Sequence, residues 1–315
     1  MKKISIIYLS LIFGFLACDK NDCPYADERL CDRAYRDSVN ANGGDDGTDT
    51  LSSDTGVVNG NTVCYGSSVF ESLEKTALLE DFTGFRCTNC LPAAVTADNL
   101  QSQWGDRLVV VAYHVFQQFA APIADPPDPF STDFRTDEGE NLAIEYQVPS
   151  LPNGMIDRKD FGTGQLQQAG SWPDFVGVVM EEEPTGFVRF RDVELSSDLS
   201  TVSFRVAARM FGEIEENHNL VVGIYENGLI EGQKDGGETI YPYTHDHVFR
   251  GNVNGLFGQE VFTSTSQFEE NCADLFEFTG ALDPEWEVEN CYLFAYIINQ
   301  STLEVIQVTK TPILE

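Results

Sequence analysis

The stretch that decides the fold is Thr76-Ala77-Leu78-Leu79-Glu80-Asp81-Phe82-Thr83-Gly84-Phe85-Arg86-Cys87-Thr88-Asn89-Cys90. Its first half is an apolar run typical of a buried strand, and the two cysteines follow where a helix is predicted to begin. Free N–H groups and the positive end of the helix dipole stabilise a thiolate at a helix N-terminus. The second cysteine, about one turn later, lies close enough to form a disulfide. The spacing therefore predicts a redox-capable pair, Cys87 and Cys90.

A zinc-binding site is the alternative interpretation of the CxxC motif, because half of such a site has the same cysteine spacing. The sequence contains no second CxxC and no nearby CxxH to complete such a site. His245-Asp246-His247 places two imidazoles on one face of a strand, but only two ligands are evident there, and packing is the commoner role. We therefore predict no metal site and, in the absence of a cofactor motif, no cofactor.

The N-terminus predicts export and a lipid anchor. Two lysines precede an apolar stretch, residues 4–16, that is too short to span a membrane. It ends in Phe15-Leu16-Ala17-Cys18, which resembles a bacterial lipobox and implies cleavage of residues 1–17 and acylation of Cys18. Several acyl chains, at about 0.8 kcal/mol per buried CH₂, form a stable anchor. The alternative is an ordinary signal peptide with Cys18 in a disulfide.

The charge of the chain excludes one class of function. It has 19 Lys and Arg against 51 Asp and Glu, for a formal net charge of −32. So acidic a surface repels nucleic acid, and we exclude a nucleic-acid-binding function. Residues 18–63 are polar and contain almost nothing that packs into a core, so they are predicted to be an acidic flexible tether. A calcium loop is the alternative there, but no twelve-residue ligand register fits.

The cysteine count leaves one thiol without a partner. The chain has 8 cysteines, and seven remain if Cys18 is acylated. We predict, besides the CxxC pair, a Cys272–Cys291 bridge between strand-like segments and a Cys23–Cys31 bridge in the tether. Cys64 is then the odd thiol.

Residues 64–185 alternate between strand and helix patterns. Strands are predicted at 78–82, 107–114 and near 155–158, and helices at 90–104, 137–146 and 172–180. The strand at 107–114 is apolar on both faces and is therefore predicted to be central. His114 ends it, and we consider both a structural role and a role in tuning the thiolate.

The same region resembles the thioredoxin superfamily at three points. Cys87 and Cys90 are the first, and the resemblance implies attacking and resolving roles for them. Pro152, in Tyr146-Gln147-Val148-Pro149-Ser150-Leu151-Pro152, stands where the superfamily has a cis-proline that orients the partner. Asp81, six residues before the first cysteine, stands where the superfamily has a buried acid that takes a proton during exchange. The alternative for Asp81 is a strand end near solvent.

Two departures from that pattern weaken the inference of a general reductase. Asn153 follows the proline where Thr is usual, and Thr83 replaces the usual tryptophan.

From residue 186 onward, short strand patterns are separated by turn-rich stretches and no helix pattern intervenes. Residues 186–315 are therefore predicted to form an antiparallel β-sandwich. The expected fold class is an α/β thioredoxin-like domain followed by an all-β domain.

The combination of motifs resembles the Omp-28-related outer-membrane protein family. The matching segments are the lipobox, Glu80-Asp81-Phe82-Thr83-Gly84 before the CxxC, residues 151–158, and His247-Val248-Phe249-Arg250. The resemblance implies an outer-membrane lipoprotein, on the cell surface or the periplasmic face, anchored in the membrane by Cys18. It also implies a thioredoxin-like domain fused to a β-sandwich.

Two classes of function fit these expectations, and fold does not choose between them. The favoured one is an accessory or binding component of an outer-membrane assembly, with an outer-membrane protein as partner and Cys87–Cys90 as a fixed disulfide. The alternative is a membrane-tethered thiol–disulfide oxidoreductase. In that case Cys87 is predicted to be the more exposed and reactive thiol.

Overall fold

The central strands form because uninterrupted apolar runs are buried on both faces. In the computed structural model, which describes residues 56–123 and 129–314, the two predicted strands are β3 (Ala77–Thr83) and β4 (Leu108–His114), and every residue of both is buried. They pair in parallel from Ala77↔Leu108 to Thr83↔His114. The prediction of a central strand at 107–114 is confirmed. The signal peptide, Cys18, the Cys23–Cys31 bridge and nearly all of the tether lie outside the described residues.

The remaining elements follow in chain order. The helices are α1 (Ser67–Glu71), α2 (Leu91–Trp104), α3 (Gln117–Ala120), α4 (Asp137–Glu145) and α5 (Trp172–Met180). The other strands are β1 (Val57–Asn59), β2 (Thr62–Cys64), β5 (Asn153–Ile156), β6 (Gly186–Leu195), β7 (Thr201–Met210), β8 (His218–Glu226), β9 (Leu229–Asp235), β10 (Glu238–His245), β11 (Val248–Asn252), β12 (Gln259–Phe262), β13 (Cys272–Ala281), β14 (Cys291–Asn299) and β15 (Val305–Pro312). The three helices predicted between residues 90 and 180 are thus confirmed, with ends shifted by at most one residue. Among the described residues, no helix is both long and apolar enough to cross a membrane.

Three sheets are formed by the described residues. The largest has eight strands in the order β15-β14-β8-β11-β4-β3-β5, with β12 paired to β8. The second has five strands in the order β1-β2-β13-β7-β6, and β9 and β10 form a separate hairpin. The largest sheet contains strands from both sides of residue 185, because β11 pairs in parallel with β4 at Val248↔Ala112. Residues 64–185 and 186–315 therefore do not form separate sheets, and Leu51–Glu315 is one compact unit.

Apolar cores lie on both faces of the large sheet. On one face, Leu79 and Val110 pack with Trp172 and Val176 of α5. On the other face, alternate residues such as Leu78 and Val111 join a cluster that includes both CxxC cysteines. A further cluster joins β6 and β7 of the five-stranded sheet to β8 and β14 of the large one. Of the expected fold class, the β-rich architecture with several sheets and some helices is confirmed.

The disulfide pairing differs from the sequence prediction. Cys64 and Cys272 are directly opposite in the β2–β13 register, and their sulfurs are bonded. Cys291 lies opposite Glu226 in the other sheet and is a buried free thiol. The predicted Cys272–Cys291 bridge and the unpaired Cys64 are therefore wrong, because strand register rather than proximity in sequence brings the cysteines together.

A buried ionic network fixes β3 to the C-terminal strands. Arg158 is fully buried and donates to both carboxylate oxygens of Glu80, at 2.8 Å each, and to the Tyr296 hydroxyl at 2.9 Å. The Tyr113 hydroxyl donates to the same carboxylate at 3.2 Å. Because Tyr296 belongs to β14, the network links the two sequence regions through polar groups that water does not reach.

Candidate functional site

The CxxC pair lies at the start of α2, where the sequence predicts it. Cys87 and Cys90 form a disulfide. The Cys87 N–H donates to the Gly84 carbonyl at 2.9 Å, and the Ala93 and Ala94 N–H groups donate to the Cys90 carbonyl at 3.1 and 3.0 Å. Pro92 falls in the first turn of α2, where its missing N–H is not needed. Local hydrogen bonds therefore hold the pair at the helix N-terminus.

Both cysteines are inaccessible from solvent. Cys87 is 2% exposed and Cys90 is 1% exposed. The difference in exposure that an exchanging Cys87 requires is therefore small here, and the greater reactivity of Cys87 stays a prediction. Both belong to the apolar cluster under the large sheet, and the β9–β10 hairpin bonds to the loop that carries them.

The hairpin bonds to the CxxC loop through three donors. The Lys234 N–H donates to the Phe85 carbonyl at 2.8 Å, and the Gly236 N–H donates to the Thr88 carbonyl at 3.1 Å. The side-chain amide of Gln233 donates to the Cys87 carbonyl at 3.3 Å. Sequence analysis missed this hairpin because its strands are polar. The pair Gly236-Gly237 between two strand-length segments was the available signal.

Asp81 is the buried acid expected beneath the cysteine helix. Its side chain is on β3, the residue is 2% exposed, and its Oδ1 has no hydrogen-bond partner in the described part of the chain. Burial, reinforced by the charge of Asp98, raises the pKa of Asp81 to about 8. The alternative of a solvent-exposed strand end is therefore wrong. Near neutral pH this carboxyl therefore mostly holds its proton.

A small cavity of about 40 Å³ adjoins Asp81. It is lined by α2, by β3 and β4, by the hairpin and by the residues that follow the hairpin. Its ionisable lining residues are Asp81, Asp98, His114, Tyr243, His245, Asp246 and His247. That volume is enough for at least one water molecule. The cavity therefore offers the buried carboxyl a polar environment that includes groups from the C-terminal half of the chain.

The histidines of the cavity are uncharged at neutral pH. Burial lowers the pKa of His245 and of His247 to about 4, and it lowers the pKa of His114 well below its usual range. The rings of His114 and His245 are 5.5 Å apart between centroids, and His245 contributes to the lowered pKa of His114. Sequence analysis singled out all three residues but did not bring them together, because His114 and the other two are far apart in the chain.

Pro152 has the conformation that the resemblance to the thioredoxin superfamily implies. The Leu151–Pro152 peptide bond is cis. Leu151 and Val148 belong to the same buried cluster as Cys87 and Cys90, so the proline segment borders the core that contains the disulfide.

Among the described residues, only Cys64, Glu269 and Cys272 lie close enough together to share a metal ion. The two sulfurs of that group are bonded to each other, so neither is a thiolate ligand. His245 and His247 are not part of any such group in the described ranges.

Comparisons with known proteins give one family and several similar structures. The family model described as "Outer membrane protein Omp28" matches residues 140–315. HBP35 of Porphyromonas gingivalis is 12% identical, with 76% of each chain covered and a TM-score of 0.56. A protein from Agrobacterium tumefaciens is 13% identical, with 78% of this chain and 97% of that chain covered and a TM-score of 0.47.

A domain of the outer membrane lipoprotein Omp28 from Porphyromonas gingivalis is 19% identical, with 42% of this chain and 91% of that domain covered and a TM-score of 0.30. No curated protein matches the sequence. The likeness to HBP35 of Porphyromonas gingivalis supports a shared fold and nothing further.

Proposed function

The chain belongs to the Omp28 family of outer membrane proteins, and from this premise we propose that it is an accessory or binding component of an outer-membrane assembly. We place its anchor at Cys18, within the lipobox Phe15-Leu16-Ala17-Cys18. Its partner is an outer-membrane protein, bound through the β-rich C-terminal part. In this proposal the thioredoxin-like unit is a scaffold, formed by β3, β4 and β5 with α2 and α5.

The observation that carries the proposal is the burial of the disulfide. A thiol that exchanges with partner proteins needs access to solvent and stabilisation of its thiolate. Cys87 and Cys90 are instead 2% and 1% exposed, within an apolar cluster, and a hairpin is hydrogen-bonded to the loop that carries them. An inaccessible bond with apolar neighbours is typical of a structural cross-link. We infer that Cys87–Cys90 holds the loop before α2 in place.

The redox potential of the Cys87–Cys90 bond tests this role. A structural bridge is expected below about −300 mV, and an exchanging one above it. We would equilibrate the protein with dithiothreitol buffers and quantify both cysteines by alkylation and mass spectrometry. The measurement should use a Cys291→Ala variant, because Cys291 is the free thiol of the described chain. A potential well above that limit would contradict the structural role.

Assembly in the membrane tests the binding role directly. Cross-linking in intact cells, followed by extraction, should give a discrete species larger than the monomer. Cys18→Ala should release the protein from the membrane or leave its signal uncleaved, and the larger species should be lost with the anchor. A protein that stays monomeric after cross-linking in cells would argue against an assembly component. Normal processing and membrane retention of Cys18→Ala would argue against lipidation.

A second candidate is a membrane-tethered thiol–disulfide oxidoreductase, favoured by the protonated acid beneath the cysteine helix. In the reduced protein, the Cys87 thiolate would attack a partner disulfide and form a mixed disulfide, releasing one partner thiolate. Cys90 would then attack the Cys87 sulfur and release the second, so the partner is reduced and the pair is oxidised. Asp81, in the ionised fraction that a pKa of about 8 leaves at neutral pH, would take the Cys90 proton, and Pro152 would orient the partner backbone.

Trapping of mixed disulfides in cells distinguishes the oxidoreductase role from the scaffold role. In Cys90→Ala the resolving thiol is absent, so an exchanging Cys87 would accumulate mixed disulfides with partner proteins in cells. The matched control is Cys87→Ala, which keeps one thiol at the site but removes the attacking sulfur. We expect no trapped species in either variant. Trapping in Cys90→Ala alone would establish the oxidoreductase.

A further inference from the structure

The β9–β10 hairpin, residues 229–245, is a separate structural unit that lies over the CxxC loop; we call it the strap. Its two strands pair with each other from Glu238↔Asp235 to His245↔Leu229. Within the described part of the chain, neither β9 nor β10 pairs with any third strand. The strap is therefore held to the CxxC loop by hydrogen bonds and side-chain contacts, and no strand pairing joins it to either large sheet.

A second set of contacts holds the strap to the loop before α4. The carboxylate of Glu231, which is 4% exposed, accepts from the Ser131 hydroxyl at 3.0 Å and from the Thr132 N–H at 2.8 Å. The Gly232 N–H donates to the Pro129 carbonyl. At Gly232 the two segments are so close that a Cβ would lie 2.6 Å from the Pro129 oxygen. Glycine is required here by the close approach of the backbones.

The interface under the strap contains both polar and apolar contacts. Its buried polar side chains are Glu231, Gln233 and His245, and Leu229 packs against the cluster of Phe85, Phe130, Phe134 and Val248. Lifting the strap would expose polar groups that water can satisfy, and it would cost the apolar contacts of Leu229. A hairpin that is not paired to either large sheet opens at a lower free energy than the core strands of the same protein.

We propose that the strap is a gate, which must lift before any thiol reagent or partner reaches the Cys87–Cys90 bond. Local opening of residues 229–245, rather than global unfolding, then sets the rate at which the bond is reduced. The inference rests on the proposed function for the location of the site, and it applies equally to a scaffold bridge and to an exchanging one.

The reaction that reports the gate is reduction by dithiothreitol. One thiolate of the reagent attacks a sulfur of the Cys87–Cys90 bond, which breaks as a mixed disulfide forms. The second thiolate then closes the cyclic disulfide of the reagent and releases the protein sulfur. Two electrons pass from the reagent to the protein, and each cysteine takes one proton from water.

Two glycines of the strap form a matched pair for the test. Gly232→Ala places a methyl group against the Pro129 carbonyl and should push the strap away from its loop. Gly237→Ala adds the same methyl group at the turn, where nothing lies within 4 Å. We expect reduction of Cys87–Cys90 to be about tenfold faster in Gly232→Ala and unchanged in Gly237→Ala.

The Cys64–Cys272 bond provides an internal control in the same samples. Mass spectrometry of alkylated peptides measures its reduction separately, and a gate effect should leave its rate unchanged. Equal acceleration of both bonds in Gly232→Ala would show general destabilisation and overturn the gate. An unchanged rate at Cys87–Cys90 would also overturn it.

Gln233→Ala is the second variant for testing the gate, and it is used if Gly232→Ala fails to fold. It removes the hydrogen bond to the Cys87 carbonyl and should accelerate reduction of that bond alone, by a smaller factor. This test is independent of the test of the proposed function. The rate of reduction in these variants measures how easily the reagent reaches the Cys87–Cys90 bond, whereas the redox potential measures the equilibrium between the reduced and oxidised pair. A high potential with a gated rate would overturn only the scaffold role, and a low potential with ungated rates would overturn only the gate.

Discussion

Replacing Asp81 by Asn should stabilise the protein at neutral pH. In the folded state this carboxyl has a pKa of about 8, because it is buried, whereas its ordinary value is 3.8. Keeping it protonated costs about 1.4 kcal/mol for each pH unit above the ordinary value, which is about 4 kcal/mol at pH 7. An amide of similar shape avoids this cost but buries its own unpaired polar atoms, at about 1 kcal/mol. We expect a net gain of about 3 kcal/mol in the free energy of unfolding.

The dependence of this gain on pH identifies its cause. For an acid with a raised pKa, stability is fully present below the ordinary value of 3.8 and is lost as the pH rises to about 8. The advantage of Asp81→Asn should therefore be small at about pH 4, grow up to about pH 8 and then level off. Neighbouring histidines titrate in both proteins and largely cancel in the difference.

Urea unfolding followed by circular dichroism, at about pH 5, 7 and 9, measures the effect. Asp174→Asn is the matched control, because that carboxylate is exposed on α5 and its removal should change little. A gain of equal size at all three pH values would refute the reasoning, and so would a loss at the highest one. Either result would mean that the carboxyl is ionised or paired in the folded protein.

Three further predictions concern the fold. Arg158→Met should lower the free energy of unfolding by about 3–5 kcal/mol in urea titrations, because it leaves the Glu80 carboxylate buried without its partner; a loss below about 1 kcal/mol would contradict this. Cys64→Ser opens a bridge that spans 208 residues and should cost up to about 5 kcal/mol by the same assay, whereas an unchanged unfolding midpoint would show that the bridge adds nothing. Limited proteolysis should produce no early cut between residues 180 and 190, because one sheet contains strands from both sides; early cleavage there would restore the two-domain organisation.

Local patterns predicted the part of the site that local interactions build. The apolar run of β3, the CxxC spacing and Pro92 together placed the disulfide at the start of α2. The burial of Asp81 and the cis bond before Pro152 were implied by the resemblance to the thioredoxin superfamily. For the disulfide itself, the deciding information lies within a few residues of the cysteines.

Long-range pairing could not be predicted in the same way. The large sheet is continuous because β11 meets β4 at Val248↔Ala112, a contact between residues more than a hundred positions apart. Hydrophobic periodicity indicates that each segment is a strand but not which strand it will pair with. The same limit explains the wrong disulfide, since Cys64 and Cys272 meet only through the register of β2 and β13.

These long-range contacts determine the chemistry of the cysteine pair. His245 and His247, from beyond residue 185, line the cavity beside Asp81, and Gln233 bonds to the Cys87 carbonyl. Without them, water would reach the carboxyl, its pKa would fall toward the ordinary value, and the disulfide would lose its cover. The motif supplies the two sulfurs and the buried acid, but the C-terminal strands decide whether a reagent can reach them. An assignment of function from the CxxC segment alone would therefore describe a site that the complete fold keeps closed.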